Sequence, residues 1–152
     1  VTVKRTDSTD QDFIRLVSLL DVFLAEIDGE DHAFYAQFNK LDALRYAVVV
    51  YEGETPVACG AFKPFGDHAV EIKRMYVSPD HRRKGLAITM LDELEKWAAE
   101  LGYLHCVLET GIRQSEAIAL YQKTGYRQTE NYGQYAGVKT SVCFEKKLSP
   151  TT

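Results

Sequence analysis

The sequence predicts a single α/β (α+β) domain on a mixed, mostly antiparallel sheet with a parallel central pair, in the order β-α-α-β-β-β-α-β-α-β-β. Three observations lead there. Two long segments, one from Phe13 to Ile27 and one from Leu86 to Leu101, repeat apolar residues at the 3.6-residue period of a helix. Between them lie three apolar, largely β-branched runs joined by turns too short for a crossover, so they should pair antiparallel. After the second helix another apolar run should return beside the strand that precedes it, in parallel, through a right-handed crossover.

Each element has its own local signal. Residues 1–5 open with alternating Val1-Thr2-Val3 and form a short strand. Thr9 is placed to cap the first helix, with Asp12 three residues on. The buried stripe of that helix is Phe13, Leu16, Val17, Leu20, Phe23, Leu24 and Ile27, and Gly29 stops it. A second, shorter helix fits residues 31–44, with Phe34, Phe38 and Leu41 inward. Strands follow over residues 46–51, 56–64 and 69–77, with turns at Glu52-Gly53-Glu54 and Gly66-Asp67. The central helix covers residues 84–101 and buries Leu86, Met90, Leu91, Leu94, Trp97, Ala98 and Leu101; Gly102 ends it. Residues 104–109 form the strand parallel to residues 70–77. A short helix over residues 115–124, stopped by Gly125, and strands over residues 126–129 and 138–147 close the domain. No linker, repeat or low-complexity stretch divides residues 1–152.

Composition narrows the partners. A net charge of −4 argues against nucleic acid and anionic membranes, which want a broad basic face. The cations at positions 82–84 therefore suit a small polyanion. Cys59, Cys106 and Cys143 sit apart in apolar contexts and predict reduced, buried thiols. No Cys or His spacing suggests a metal, and His32, His68, His81 and His105 are scattered. No apolar run approaches about 18 residues and no signal-peptide pattern is present, so the expected location is the cytoplasm.

The run Val77-Ser-Pro-Asp-His-Arg-Arg-Lys-Gly-Leu-Ala87 joins the third meander strand to the central helix. Arg82, Arg83 and Lys84 lead into Gly85 at a helix start, where unpaired N–H groups and the positive end of the peptide dipoles attract anions. Glycine admits a phosphate where a Cβ would block it. The spacing Arg82-x-x-Gly85-x-Ala87 resembles the acetyl-CoA pyrophosphate loop of the GNAT superfamily of N-acetyltransferases, (Gln/Arg)-x-x-Gly-x-(Gly/Ala) after a hydrophobic strand. The segment Ala117-Ile-Ala-Leu-Tyr-Gln-Lys-Thr-Gly-Tyr126 is similar to the second motif of that family, Ala-x-x-Leu-Tyr-x-x-x-Gly-Phe/Tyr.

The resemblance implies the same element order over almost the whole chain, acetyl-CoA as cosubstrate and an amine as acceptor. It implies that Arg82, Arg83, Lys84, Gly85, Leu86 and Ala87 surround the pyrophosphate. It implies that the backbone of Met75, Tyr76 and Val77 receives the pantetheine arm where this strand splays from the next parallel one. Tyr121 falls on the position of the tyrosine that protonates the departing sulfur; the alternative is a core tyrosine packed near Gly125. Many family members carry an asparagine near the second motif; here Gln114-Ser115-Glu116 stands there, and Gln114 could make a similar amide contact.

Glu71, a carboxylate in a half-buried strand, has two readings. It matches the strand position of a catalytic base in several family members, and an amine must lose a proton before attack. It could instead be a rim residue paired with Lys73 or Arg74. In the polar, aromatic loop of residues 131–137, Tyr132 and Tyr135 would either wall the amine pocket or belong to a plain hairpin loop. The acidic run Glu26-Ile-Asp-Gly-Glu-Asp-His32 could attract a cation or be a solvated turn.

The expected reaction is transfer of an acetyl group from acetyl-CoA directly to a primary amine of a small molecule or peptide end, with no metal. The rival is a non-catalytic acyl-CoA-binding sensor or partner-binding module, which needs neither Glu71 nor Tyr121. A P-loop is excluded by the absence of Gly-x-x-x-x-Gly-Lys-Ser/Thr, and a dinucleotide fold is disfavoured by the meander. A homodimer through the C-terminal strands is common in the family.

Overall fold

The computed structural model describes residues 1–31 and 43–149. Seven strands form one sheet in the order β1-β2-β3-β4-β5-β7-β6. They are β1 (Thr2–Thr6), β2 (Tyr46–Glu52), β3 (Thr55–Phe65), β4 (Ala69–Val77), β5 (His105–Gly111), β6 (Arg127–Thr129) and β7 (Ser141–Lys147). Among the described residues three helices cover the sheet: α1 (Gln11–Asp28), α2 (Leu86–Glu100) and α3 (Ser115–Lys123). The expected helix over residues 31–44, with Phe34, Phe38 and Leu41, lies almost wholly outside the described residues, as does His32.

Both faces of the sheet are buried. α1 lays Phe13, Leu16, Val17 and Leu20 on Ala47, Val49, Cys59, Ala61 and Tyr76. On the opposite face α2 packs Leu86, Met90, Leu91, Leu94 and Ala98 against Val48, Val50, Phe62, Val70, Ile72, Cys106, Leu108 and Phe144. Two covered faces explain why residues 47–50 read as an unbroken apolar run instead of alternating.

Two local expectations are corrected. The cap of α1 is Asp10, not Thr9: its side chain accepts from the N–H groups of Asp12 and Phe13, while Thr9 donates to Asp7. Both residues are capping types, and the aspartate sits one position closer to the helical turn. Leu101 lies beyond the last turn of α2 and is exposed, because the chain leaves the sheet there for the Gly102 turn.

The feature that positions the site is the seam between β4 and β5. The two strands run parallel but pair only over Ala69–Glu71 and His105–Val107. Past that point they diverge, so one backbone edge of residues 72–77 has no ladder partner on β5. A bulge adds to the divergence. Between Cys59↔Tyr76 and Ala61↔Lys73, β4 carries one residue more than β3, and Arg74 takes a left-handed φ of 60°. Gly60 faces this bulge; a Cβ there would come within 2.9 Å of Met75 Sδ and 3.0 Å of Leu94 Cδ1. Only a glycine lets α2 and Met75 approach the sheet so closely.

Candidate active site

Alternation along the diverging strands sorts their side chains. Val70, Ile72, Cys106 and Leu108 point to the α2 face, which leaves Glu71, Val107 and Glu109 on the α1 face. Where the strands part, a cavity of about 100 Å³ opens between them. Its walls include Leu20, Leu24 and Asp28 of α1, Glu71 and residues 72–75 of β4, and Glu109 of β5. Tyr121 of α3 and Tyr135 also reach it. Tyr121 belongs to the core on the α2 side, and Leu20 to the core on the α1 side. The cavity is therefore a slot between the strands, lined from both faces of the sheet.

Glu71 is almost fully buried, and its partners are now visible. Tyr132 donates its hydroxyl to Oε2 at 2.7 Å. Lys63 and Lys73 both stand 3.9 Å from Oε1. Arg74 is not its partner; that guanidinium reaches Asp21 of α1 at 2.8 Å through Nη1, while Nη2 is buried with no hydrogen bond among the described residues. Tyr132 stands behind Glu71, its ring 4.8 Å from Phe65 and 5.9 Å from Tyr135. Burial and the adjacent Glu71 carboxylate push its hydroxyl far above the usual tyrosine range. Of the two loop tyrosines, Tyr135 lines the slot and Tyr132 does not.

Tyr121 is buried, with its ring 5.7 Å from Tyr126 and 6.0 Å from Phe144. Burial, and then the charge of Glu109, raise its pKa, so the phenol keeps its proton at neutral pH and can donate it. Gln114 precedes α3 and lines the same slot, with its amide close to Gly111.

The turn from Val77 to Ala87 lies at the other end of the unpaired edge. Ser78 leads into a short turn at Pro79–His81, and Gly85 precedes α2 at a left-handed φ of 78°. The space beside Gly85 is open; a Cβ there would meet nothing within 4 Å. The first N–H groups of α2, from Leu86 and Ala87 onward, have no intrahelical acceptor. The cations are less free than the sequence implies. Arg82 Nε donates to the Val77 carbonyl at 3.0 Å, and its guanidinium stacks 5.1 Å from the Phe23 ring centroid. Lys84 lies 3.7 Å from Glu52. Arg83 is exposed and, like Gly85, left-handed.

A family model described as the Acetyltransferase (GNAT) family matches residues 14–126. The chain belongs to the GNAT family. Its curated relatives include the IAA acetyltransferase of Azospirillum brasilense, 30% identical over 97% of this chain and 98% of that protein. A Klebsiella pneumoniae chain solved as a candidate acyl-CoA N-acyltransferase superposes with a TM-score of 0.82 at 30% identity, covering 97% of each chain. The PaiA N-acetyltransferase of Thermoplasma acidophilum, solved in complex with coenzyme A, shares the GNAT fold at a TM-score of 0.71 and 17% identity, over 96% of this chain and 98% of that one.

One residue that lines the slot was not singled out from the sequence. Glu109 lies on β5 beside the slot, and its Oε2 is buried with no hydrogen bond among the described residues. The available signal was the one used for Glu71, a carboxylate in an otherwise apolar strand. The cysteines are buried and free, and burial pushes Cys59 and Cys106 up to about 12 and Cys143 up to about 11. Neutral thiols are poor nucleophiles, so none of the three is fitted to carry an acyl group. No group of three or more metal-ligating side chains occurs among the described residues, and none of their helices is long and apolar enough to cross a membrane.

Proposed function

We propose that the protein transfers an acetyl group from acetyl-CoA directly to the primary amine of a small molecule or peptide end. The observation that carries this is the slot between β4 and β5. Its lining comes from both faces of the sheet and brings a proton donor, Tyr121, and carboxylates to one point, which suits the meeting of a thioester and an amine. The residues present fit the cosubstrate. The open space at Gly85 and the free amides that start α2 suit a pyrophosphate, with Arg83 and Lys84 adding charge nearby. The unpaired edge of Met75, Tyr76 and Val77 suits the amides of a pantetheine arm, and Gln114 stands across the slot.

The chemistry follows from placement. Backbone N–H groups near Met75 stabilise the oxyanion that forms when the amine adds to the thioester carbonyl. Tyr121 protonates the departing thiolate in a site largely closed to water. The acids on the α1 face, Glu71 and Glu109, attract the ammonium form, and a carboxylate there accepts its proton. A sensor that only bound acyl-CoA would need the turn at Gly85 but no buried tyrosine and no acidic pair.

The test is calorimetric titration with acetyl-CoA, followed by thiol release with ethanolamine, putrescine, benzylamine and glycinamide. Tight binding with turnover of at least one amine supports the reading. Binding with no turnover above hydrolysis across a wide amine panel supports the sensor.

A further inference from the structure

Three carboxylates line the slot, Asp28, Glu71 and Glu109, and the two on the parting strands, which would compete for the amine proton, are built differently. Glu71 is tied: one oxygen accepts the Tyr132 hydroxyl and the other faces two ammonium groups. With its oxygens engaged by these partners, Glu71 has less of its hydrogen-bonding capacity left for a substrate. Glu109 is held by less: the Ser141 hydroxyl hydrogen-bonds it, but not both of its oxygens are engaged. Its Oε2 is buried, unpartnered among the described residues, and beside the slot. An unsatisfied buried carboxylate oxygen is costly in a finished core and useful where a substrate N–H will meet it.

We propose, on the footing of the acetyl-transfer reading, that Glu109 is the carboxylate that takes the proton from the bound ammonium, and that Glu71 is a positioning residue that holds Tyr132 beside it. The surroundings of Glu109 suit this work. Burial raises its pKa to about 7, with the Ser141 hydroxyl of β7 opposing the rise. The charges of Asp28 on α1 and Glu71 on β4 add to it, and Lys73 on β4 opposes. Tyr121, Tyr135 and Cys143 also feel the charge of Glu109, and all three stay neutral near pH 7. A base that titrates near working pH combines ionisation with useful proton affinity.

The step balances. As one ammonium N–H bond breaks, an O–H bond forms on Glu109 and leaves a neutral amine. Its lone pair forms the N–C bond to the thioester carbonyl carbon while the C=O π pair moves to oxygen. When the carbonyl re-forms, the C–S bond breaks with its electron pair on sulfur, and Tyr121 gives sulfur a proton. The second proton leaving nitrogen returns to Tyr121 through water, and Glu109 releases its own to solvent. Ammonium and acetyl thioester become amide, thiol and one free proton.

The experiment is a pH profile of kcat/KM for the best amine of the four, at saturating acetyl-CoA. The wild type should show an inflection near neutral pH, with the rate falling as Glu109 is protonated below it. Glu109→Gln should lose about 10²-fold at pH 7. It should lack the inflection and climb about tenfold per pH unit, because only amine already neutral in solution reacts. Glu71→Gln should keep the inflection but move it to lower pH, since one charge opposing ionisation of Glu109 is gone. Lys73→Gln should move it up. Loss of the inflection in Glu71→Gln, with Glu109→Gln within about twofold of wild type, overturns the proposal and leaves acetyl transfer standing. A wild type that does not bind acetyl-CoA overturns both. Should Glu109→Gln fail to fold, carboxyl-carbon NMR of the wild type decides. One glutamate should titrate near neutral pH, and a spectrum in which every glutamate titrates below about pH 6 rejects Glu109 as the base.

Discussion

The turn before α2 and the slot between β4 and β5, the two places assigned to the proposed reaction, are built by opposite means. The turn occupies consecutive residues, and what it offers a ligand is mainly backbone: the open space at Gly85 and the free amides that follow it. Its most conspicuous side chain, Arg82, is spent on the Val77 carbonyl and the Phe23 ring. The slot gathers Asp28, Glu71, Glu109, Tyr121 and Tyr135 from five parts of the chain, and what it offers is side chains. Backbone sites tolerate changes of charge and fail on changes of shape. Side-chain sites do the reverse.

Substitutions can break or sharpen that contrast. The largest effect is expected in the slot: Tyr121→Phe should lower kcat by about 10²-fold or more and leave KM for acetyl-CoA nearly unchanged, as steady-state kinetics will show. In the turn, Gly85→Val should weaken acetyl-CoA binding by at least about tenfold in calorimetry, a loss of about 1.4 kcal/mol. It should also lower Tm, because a β-branched residue at a φ of 78° is strained. Equal affinity would move the cosubstrate elsewhere. Tyr132→Phe removes the hydrogen bond to Glu71 and should cost about 1.5–3 kcal/mol in denaturant unfolding, with acetyl-CoA affinity unaltered. The smallest effect should be Lys84→Gln. Its exposed ion pair with Glu52 predicts a change within about 1 kcal/mol in stability, and affinity should shift only at low salt.

The same contrast explains what the sequence could disclose. The turn was legible because its chemistry lies in a short string ending at Gly85. The two long helices were legible from apolar period, and the meander from its short connections. Glu109 was not legible, since its meaning depends on β4 leaving β5 after Glu71↔Val107 and on the end of α1 arriving beside it. The partners of Arg74 were hidden for a similar reason. Alternation along a regular strand assigns a face, but the bulge turns this residue toward Asp21 on α1. The choice of Asp10 over Thr9 as a cap turned on one residue of register between two equally suitable types.

Three residue pairs join β4 to β5, and they join two half-sheets, β1 to β4 on one side and β5, β7 and β6 on the other. A molecule seated between the halves acts as mortar, so its concentration enters the folding equilibrium. At a hundred times its Kd, a ligand that binds only the native state adds about 2.7 kcal/mol. The amides of residues 72–77 that face away from β3 should then be among the first in the sheet to exchange with deuterium in the empty protein and should slow most when it is filled. The lifetime of this chain in a cell would on that account rise and fall with the supply of its own cosubstrate.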